Sequence, residues 1–196
     1  MSKPVLLLVD LQNDFLHPDG AYGRAKCASG AIAALPAKLK PLAETVRRKR
    51  GLVIATLFTL VPGAGGEPMI SPHLKALRPF LKKGDFLPGG WGQQLVDDLQ
   101  PADMAVEKIA FSAFYMSRLE WVLRKSGVEH MYVGGIVTNG GVGSTVRDAH
   151  VRDIDCTVLQ DGCAAFSDEV HNAAIEGVRP VAKITTIAEA MKDVAR

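Results

Sequence analysis

The chain reads as an α/β protein, a three-layer α/β/α arrangement around a six-stranded, mainly parallel sheet, and two observations carry that reading. Short runs rich in Val, Ile and Leu alternate with amphipathic stretches of helical length, the pattern of repeated βα units. Several of the runs are apolar almost without interruption, as strands covered by helices on both faces are.

The elements follow in order. Pro4 to Val9 forms the first strand, and a helix is expected from about Ser29 to Arg50, interrupted by Pro36 and Pro41 and stopped at Gly51. Leu52 to Thr56 is the second strand. Pro62-Gly-Ala-Gly-Gly-Glu-Pro68 is a loop, and from there to Trp91 no periodicity assigns an element; unassigned stretches of this length often form lids. Met104 to Glu107 is the third strand, after which Ser112 is placed to cap a helix ending near Gly127. His130 to Gly135 is the fourth strand, followed by a helix from near Gly140 that carries Val142, Thr145, Val146 and Ala149. Asp155 to Leu159 is the fifth strand. Ser167-Asp-Glu-Val opens another helix with acidic charge in its first turn, and Val181 to Ile184 is the sixth strand.

Length and composition set limits on function. A chain of 196 residues with 47% hydrophobic and 22% charged content fits a single domain, 1–196, able to bury a sizeable core. The net charge is +2 and the basic residues are scattered apart from Arg47-Arg-Lys-Arg50, which reads as a solvated helix end, so nucleic acid is not an expected partner. Cys27, Cys156 and Cys163 are odd in number and lack CxxC spacing, which argues against a disulfide framework or zinc ribbon and for a cytoplasmic setting. The apolar run at Pro4 to Val9 is too short for a membrane span or signal peptide. His17, His73, His130 and His150 have no ligand spacing, so neither a metal nor another cofactor is expected.

In open α/β sheets ligands sit outside the carboxyl ends of the strands. Asp10 ends the first strand, Lys108 ends the third, and Val137 to Gly141 follows the fourth, so these segments converge on one edge. Burial after five apolar residues would raise the Asp10 pKa, while a nearby Lys108 would lower it. Read alone, the pair fits a structural ion pair or a helix cap as well as a proton-handling site. Phe15 and Phe58 are the preferred candidates for a pocket wall; Trp91, Phe111, Phe114 and Tyr115 fit core or pocket.

Three segments carry a resemblance: Leu6-Leu-Leu-Val-Asp-Leu-Gln-Asn-Asp-Phe15, Glu107-Lys-Ile-Ala-Phe-Ser-Ala-Phe114, and Gly135-Ile-Val-Thr-Asn-Gly-Gly-Val-Gly-Ser-Thr-Val-Arg-Asp-Ala149. Together, in this order, they resemble the isochorismatase-like, or cysteine hydrolase, superfamily. Gly141 stands where similar proteins carry the cysteine nucleophile. The resemblance implies Asp10 as the proton-handling carboxylate with Lys108 as its partner. It implies an oxyanion hole from the backbone N–H groups of Val137 and Gly141, and a non-proline cis peptide at Ile136-Val137. Thr138 and Asn139 join Phe15 and Phe58 as substrate-binding candidates, and His171 falls where many members have a histidine with a structural role. Without the resemblance, Gly140-Gly141 is a tight strand-to-helix turn.

The implied function is hydrolysis of a small molecule without a cysteine nucleophile. Asp10 would act as general acid toward a vinyl ether, isochorismate being one candidate, and Lys108 would bind a substrate carboxylate or steady Asp10. Three departures bear on this: Thr56-Leu-Phe-Thr59 replaces the usual Thr-Ala-Gln-Pro, so that Phe58 stands at the position of a substrate-binding glutamine; the histidine that isochorismatases carry near Asn139 is missing; and Val142 stands where they carry a cysteine. The Asp-x-His metal segment of nicotinamidases is absent, so that resemblance implies no metal. Cys163 reads as a small buried thiol, and Ser144 lies almost a turn deeper along its helix than Gly141. The alternatives are a non-catalytic, ligand-binding descendant, or an amide or ureido hydrolase whose cysteine has been replaced at Gly141. Family members commonly form homo-oligomers, for which Ser112 to Lys125 would offer a contact face.

Overall fold

A computed structural model describes residues 3–27 and 29–196. Its strands are β1 (Val5–Val9), β2 (Leu52–Phe58), β3 (Met104–Lys108), β4 (His130–Ile136), β5 (Asp155–Ala164) and β6 (Lys183–Thr185). They form a six-stranded sheet in the order β3-β2-β1-β4-β5-β6 in which every neighbouring pair is parallel. Helices are α1 (Asn13–Leu16), α2 (Ala21–Arg24), α3 (Gly30–Ala33), α4 (Leu35–Arg48), α5 (Pro72–Leu77), α6 (Leu119–Lys125), α7 (Gly143–His150), α8 (Asp168–Val178) and α9 (Ile187–Ala195).

β1 lies inside the sheet, and its residues alternate between two cores because successive side chains point to opposite faces. Leu6 and Leu8 pack with Leu35, Leu39, Leu42 and Val46 of α4 and with Ile187 and Val194 of α9. Val5, Leu7 and Val9 pack with Leu119 and Leu123 of α6, Val146 of α7 and Val178 of α8. The sequence shows this double burial as an uninterrupted apolar run, and the result is three layers. No helix among the described residues is long and apolar enough to cross a membrane.

The chain leaves β1 toward β2 on one side and returns to β4 on the other, so the strand order reverses between β1 and β4. That switch point opens a crevice at the carboxyl ends of the strands. β4 approaches β1 closely through Gly135, at φ 129°, where an added Cβ would lie 2.1 Å from the Val9 carbonyl oxygen. Only glycine fits there.

Several expectations are corrected. The helix expected over Ser29 to Arg50 is two helices, α3 and α4; Pro36 falls in the first turn of α4, where its missing N–H costs nothing, and Pro41 lies inside it. Ser112 caps no helix: its hydroxyl hydrogen-bonds the Asp148 carboxylate and accepts from Phe114 N–H, and α6 begins only at Leu119. The helix expected from Gly140 opens with a π-type turn over Thr138–Val142 before α7. β5 continues past Leu159 to Ala164 across a register shift against β4, and β6 begins at Lys183 instead of Val181.

Candidate active site

Asp10 sits directly after β1 with backbone φ 57°, in the left-handed region that Asp tolerates better than most residues. The residue is 4% exposed, and its carboxyl is held from two sides. Thr56, paired with Val9 across β1 and β2, donates its hydroxyl to Asp10 Oδ1 at 2.7 Å, and Lys108 Nζ lies 2.7 Å from Oδ2. Burial pushes the Asp10 carboxyl above the usual carboxylate range, and the neighbouring Lys108 and Thr56 only partly offset it.

Lys108, at the end of β3, is 2% exposed. Besides Asp10, its ammonium donates to the carbonyls of Ala110 at 2.8 Å and Phe111 at 3.3 Å, and it lies 5.4 Å from the centre of the Phe58 ring. An ammonium has three protons, and these three acceptors take them all. Of the two roles expected for Lys108, the contact with Asp10 is the one this geometry supports.

The Ile136-Val137 peptide is cis. Val137 N–H donates to no acceptor among the described residues, while the Val137 carbonyl accepts from both Gly140 and Val142, which closes the π-type turn. That turn brings Gly141 against Asp10. A Cβ built on Gly141 would lie 3.1 Å from Asp10 Oδ2, 2.8 Å from the Ile136 carbonyl oxygen and 3.2 Å from a Val9 methyl. The carboxyl thus faces the space a side chain at position 141 would fill.

Asp10, Lys108, Val137 and Gly141 border a cavity of about 420 Å³ walled by Phe15, Phe58, Leu81 and Phe111. A larger depression of about 670 Å³ beside β6 is lined mostly by charged and polar side chains such as Lys183 and Asp193, far from these groups in the fold. The Asp10 cavity has the apolar wall and convergent polar groups of a small-molecule site.

The Isochorismatase domain model matches residues 4–189. The ureidoacrylate amidohydrolase RutB of Caulobacter vibrioides is 32% identical over 183 residues, covering 87% of this chain and 81% of that protein. The chain belongs to the isochorismatase family. It is an isochorismatase-like hydrolase by descent. Two solved structures share the family fold: a cysteine hydrolase from Pseudomonas syringae pv. phaseolicola (TM-score 0.83, 23% identity, 98% of this chain and 92% of that one) and an isochorismatase family protein from Desulfovibrio vulgaris (TM-score 0.82, 22% identity, all of both chains).

Other residues singled out in the sequence lie apart from the cavity. The Thr138 hydroxyl is 2.8 Å from His171 Nδ1, and Thr138 is fully buried, so its side chain is turned from the crevice into the α8 contact. Asn139 is exposed and does not border the cavity, whereas Phe15 and Phe58 do. Phe114 is core, while Trp91 and Tyr115 are exposed. Ser144 does not border the cavity either. Cys156 and Cys163 are buried, and burial pushes each thiol up to about 12, which keeps both protonated and inert.

The family motif after β1 contains residues whose roles sequence reasoning missed. Gln12 is fully buried: its amide oxygen accepts from Phe58 N–H at 2.7 Å, and its Nε2 donates to the carbonyls of Phe58 and Gln93, each at 2.9 Å. Asn13 donates to the Trp91 carbonyl at 2.9 Å. Asp14 accepts from Ala21 N–H at 2.9 Å and Phe86 N–H at 2.6 Å. Three consecutive polar residues thus fasten the excursion between β2 and β3 onto the crevice. Their burial next to an apolar strand was the available signal.

Proposed function

We propose that this isochorismatase-family chain hydrolyses a small molecule without any covalent enzyme intermediate, with Asp10 as general acid. The observation that carries the reading is the buried, raised-pKa Asp10 carboxyl facing the space above Gly141, where no thiol intervenes between it and a substrate. A vinyl ether suits this arrangement. Protonated Asp10 gives its proton to the terminal CH2 carbon, which leaves an oxocarbenium ion at the neighbouring carbon that bears the ether oxygen; water adds to that neighbouring carbon, and its proton returns to the Asp10 carboxylate. The resulting hemiketal collapses to a ketone and an alcohol. Lys108 holds Asp10 in place, and the apolar wall keeps other water out.

A second reading has support from relatives that are 32% identical and are ureidoacrylate amidohydrolases. In it Asp10 works as a base: it takes a proton from a water seated at Gly141, and that water adds to an amide or ureido carbonyl. The oxyanion then lies at Val137 N–H and Gly141 N–H, and the proton passes to the leaving nitrogen. Either way Asp10 carries the proton, so Asp10→Asn should abolish turnover. Supplying isochorismate and ureidoacrylate in parallel, with pyruvate and ammonia as readouts, separates the readings; turnover in neither supports a ligand-binding descendant. The cytoplasmic, homo-oligomeric state expected from the sequence belongs to this proposal, with Met116 and Trp121, 77% and 64% exposed, as the apolar face for a second copy.

A further inference from the structure

A second cavity of about 460 Å³ adjoins the Asp10 cavity: Tyr22, Leu77, Arg78 and Phe166 line both, and Lys26 and Phe80 border the second alone.

Charge is distributed unevenly over these two adjoining cavities. Among the described residues Asp10 is the one acidic side chain bordering the inner cavity, and it is held against Lys108. Among the described residues no carboxylate borders the outer one. Arg78 lines both, its guanidinium carbon 5.4 Å from the centre of the Phe166 ring and 5.8 Å from that of Tyr22, two rings that stack on each other at 8°. Its Nε donates to the Tyr22 hydroxyl at 3.0 Å and its Nη1 to the Leu77 carbonyl at 2.9 Å. Of five guanidinium protons, three therefore have no acceptor among the described residues, and Arg78 forms no ion pair there. A partly buried cation, fixed by two hydrogen bonds and two rings, is preorganised for an anion that the protein itself does not supply.

We propose that the outer cavity binds the anionic end of an elongated substrate, its carboxylate or similar anion received by Arg78 with Lys26 behind it. The planar, apolar middle of that substrate would lie along the phenyl rings, and its scissile bond at Asp10 and Gly141. This inference rests on the hydrolytic reading of the Asp10 cavity and adds the substrate class: a long, amphipathic anion. Lys108, whose protons are all engaged, cannot take that role.

The test is calorimetric binding of 4-phenylbutyrate and its neutral isostere 4-phenylbutyramide to the purified full chain and to Arg78→Gln, Arg78→Lys, Lys26→Gln and Asp10→Asn. Wild type should bind the acid about tenfold more tightly than the amide, the size of one charge-assisted contact. Arg78→Gln should bring the two affinities together. Arg78→Lys keeps the charge and should retain most of the difference, which separates lost recognition from misfolding. Lys26→Gln should reduce the preference about twofold to threefold and weaken its dependence on salt. Equal affinities in wild type, a preference untouched by Arg78→Gln, or no binding of either probe would overturn the inference. Asp10→Asn should keep the acid preference. A preserved preference in a protein that turns nothing over sinks the hydrolytic reading alone; Asp10-dependent turnover with a KM indifferent to Arg78→Gln sinks this inference alone.

Discussion

Asp10 and Gly141 lie against each other, and the proposed chemistry can be probed at either one. A general acid is active only while protonated, so turnover of a vinyl ether should be highest at low pH and fall as pH rises through the Asp10 pKa. Because burial raises that pKa, activity should persist above the range of an ordinary carboxylate, 3.8. The base reading predicts the opposite limb, a rate that rises with pH, so the pH profile of kcat/KM decides between them. Stability follows the same group. The folded state binds the Asp10 proton more tightly than the unfolded chain does, so its contribution is fully present below pH 3.8 and is lost as pH rises through the raised value. Asp10→Asn mimics the protonated form; its melting temperature should gain on wild type across that window, and a constant difference would contradict the raised pKa. Gly141→Ala would place a methyl within 2.8 Å of the Ile136 carbonyl oxygen and 3.1 Å of Asp10 Oδ2. It should cost about 1–3 kcal/mol by overpacking and remove activity by filling the seat of the reacting group, as urea unfolding and rate measurements would show. That Asp10 and Lys108 meet was readable in the sequence because each stands at the carboxyl end of a strand, while a proton-handling role came only from the family resemblance. The saturation of Lys108 was not, because two of its acceptors are backbone carbonyls set by the turn after β3.

Elements were legible where burial leaves a periodic trace and illegible where polar contacts hold the chain. β1 and β4 announce themselves as apolar runs. β5 hides its second half because Gln160-Asp161-Gly162 interrupts the pattern, with Asp161 turned aside to accept from Ile187 N–H at 2.8 Å. The stretch between β2 and β3 has no periodicity because Gln12, Asn13 and Asp14 hold it from outside; it supplies fixed wall residues such as Leu81, which is 2% exposed, and not a free lid. Gln12→Ala would leave Phe58 N–H, Phe58 C=O and Gln93 C=O without their partner. It should cost about 1–3 kcal/mol in chemical unfolding and lower turnover by loosening Phe58 over Lys108. Unchanged stability would show that water replaces the amide. At the β1–β4 contact, Gly135→Ala meets both a positive φ and a 2.1 Å clash, and should cost at least about 3 kcal/mol, with a loss of soluble folded protein as the simplest readout.

For the whole molecule, the parallel sheet and its layers follow from alternating apolar and amphipathic segments, while the site depends on where the strand order reverses, which no local pattern records. The π-type turn that sets Gly141 beside Asp10 is an example: the sequence shows only a glycine-rich run, and the packing of Thr138 against His171 determines which way it faces. Cys27 is exposed and the other two cysteines are buried with their thiols pushed up to about 12, so a native sample should release one equivalent with a disulfide reagent and three after unfolding. The most direct test of the central claim is turnover of isochorismate and ureidoacrylate by wild type, by the triple variant Cys27→Ser, Cys156→Ser, Cys163→Ser and by Asp10→Asn. Turnover should survive in the protein without thiols and disappear in Asp10→Asn; turnover lost in a folded protein without thiols, or turnover that persists without the Asp10 carboxyl, would contradict non-covalent hydrolysis through Asp10.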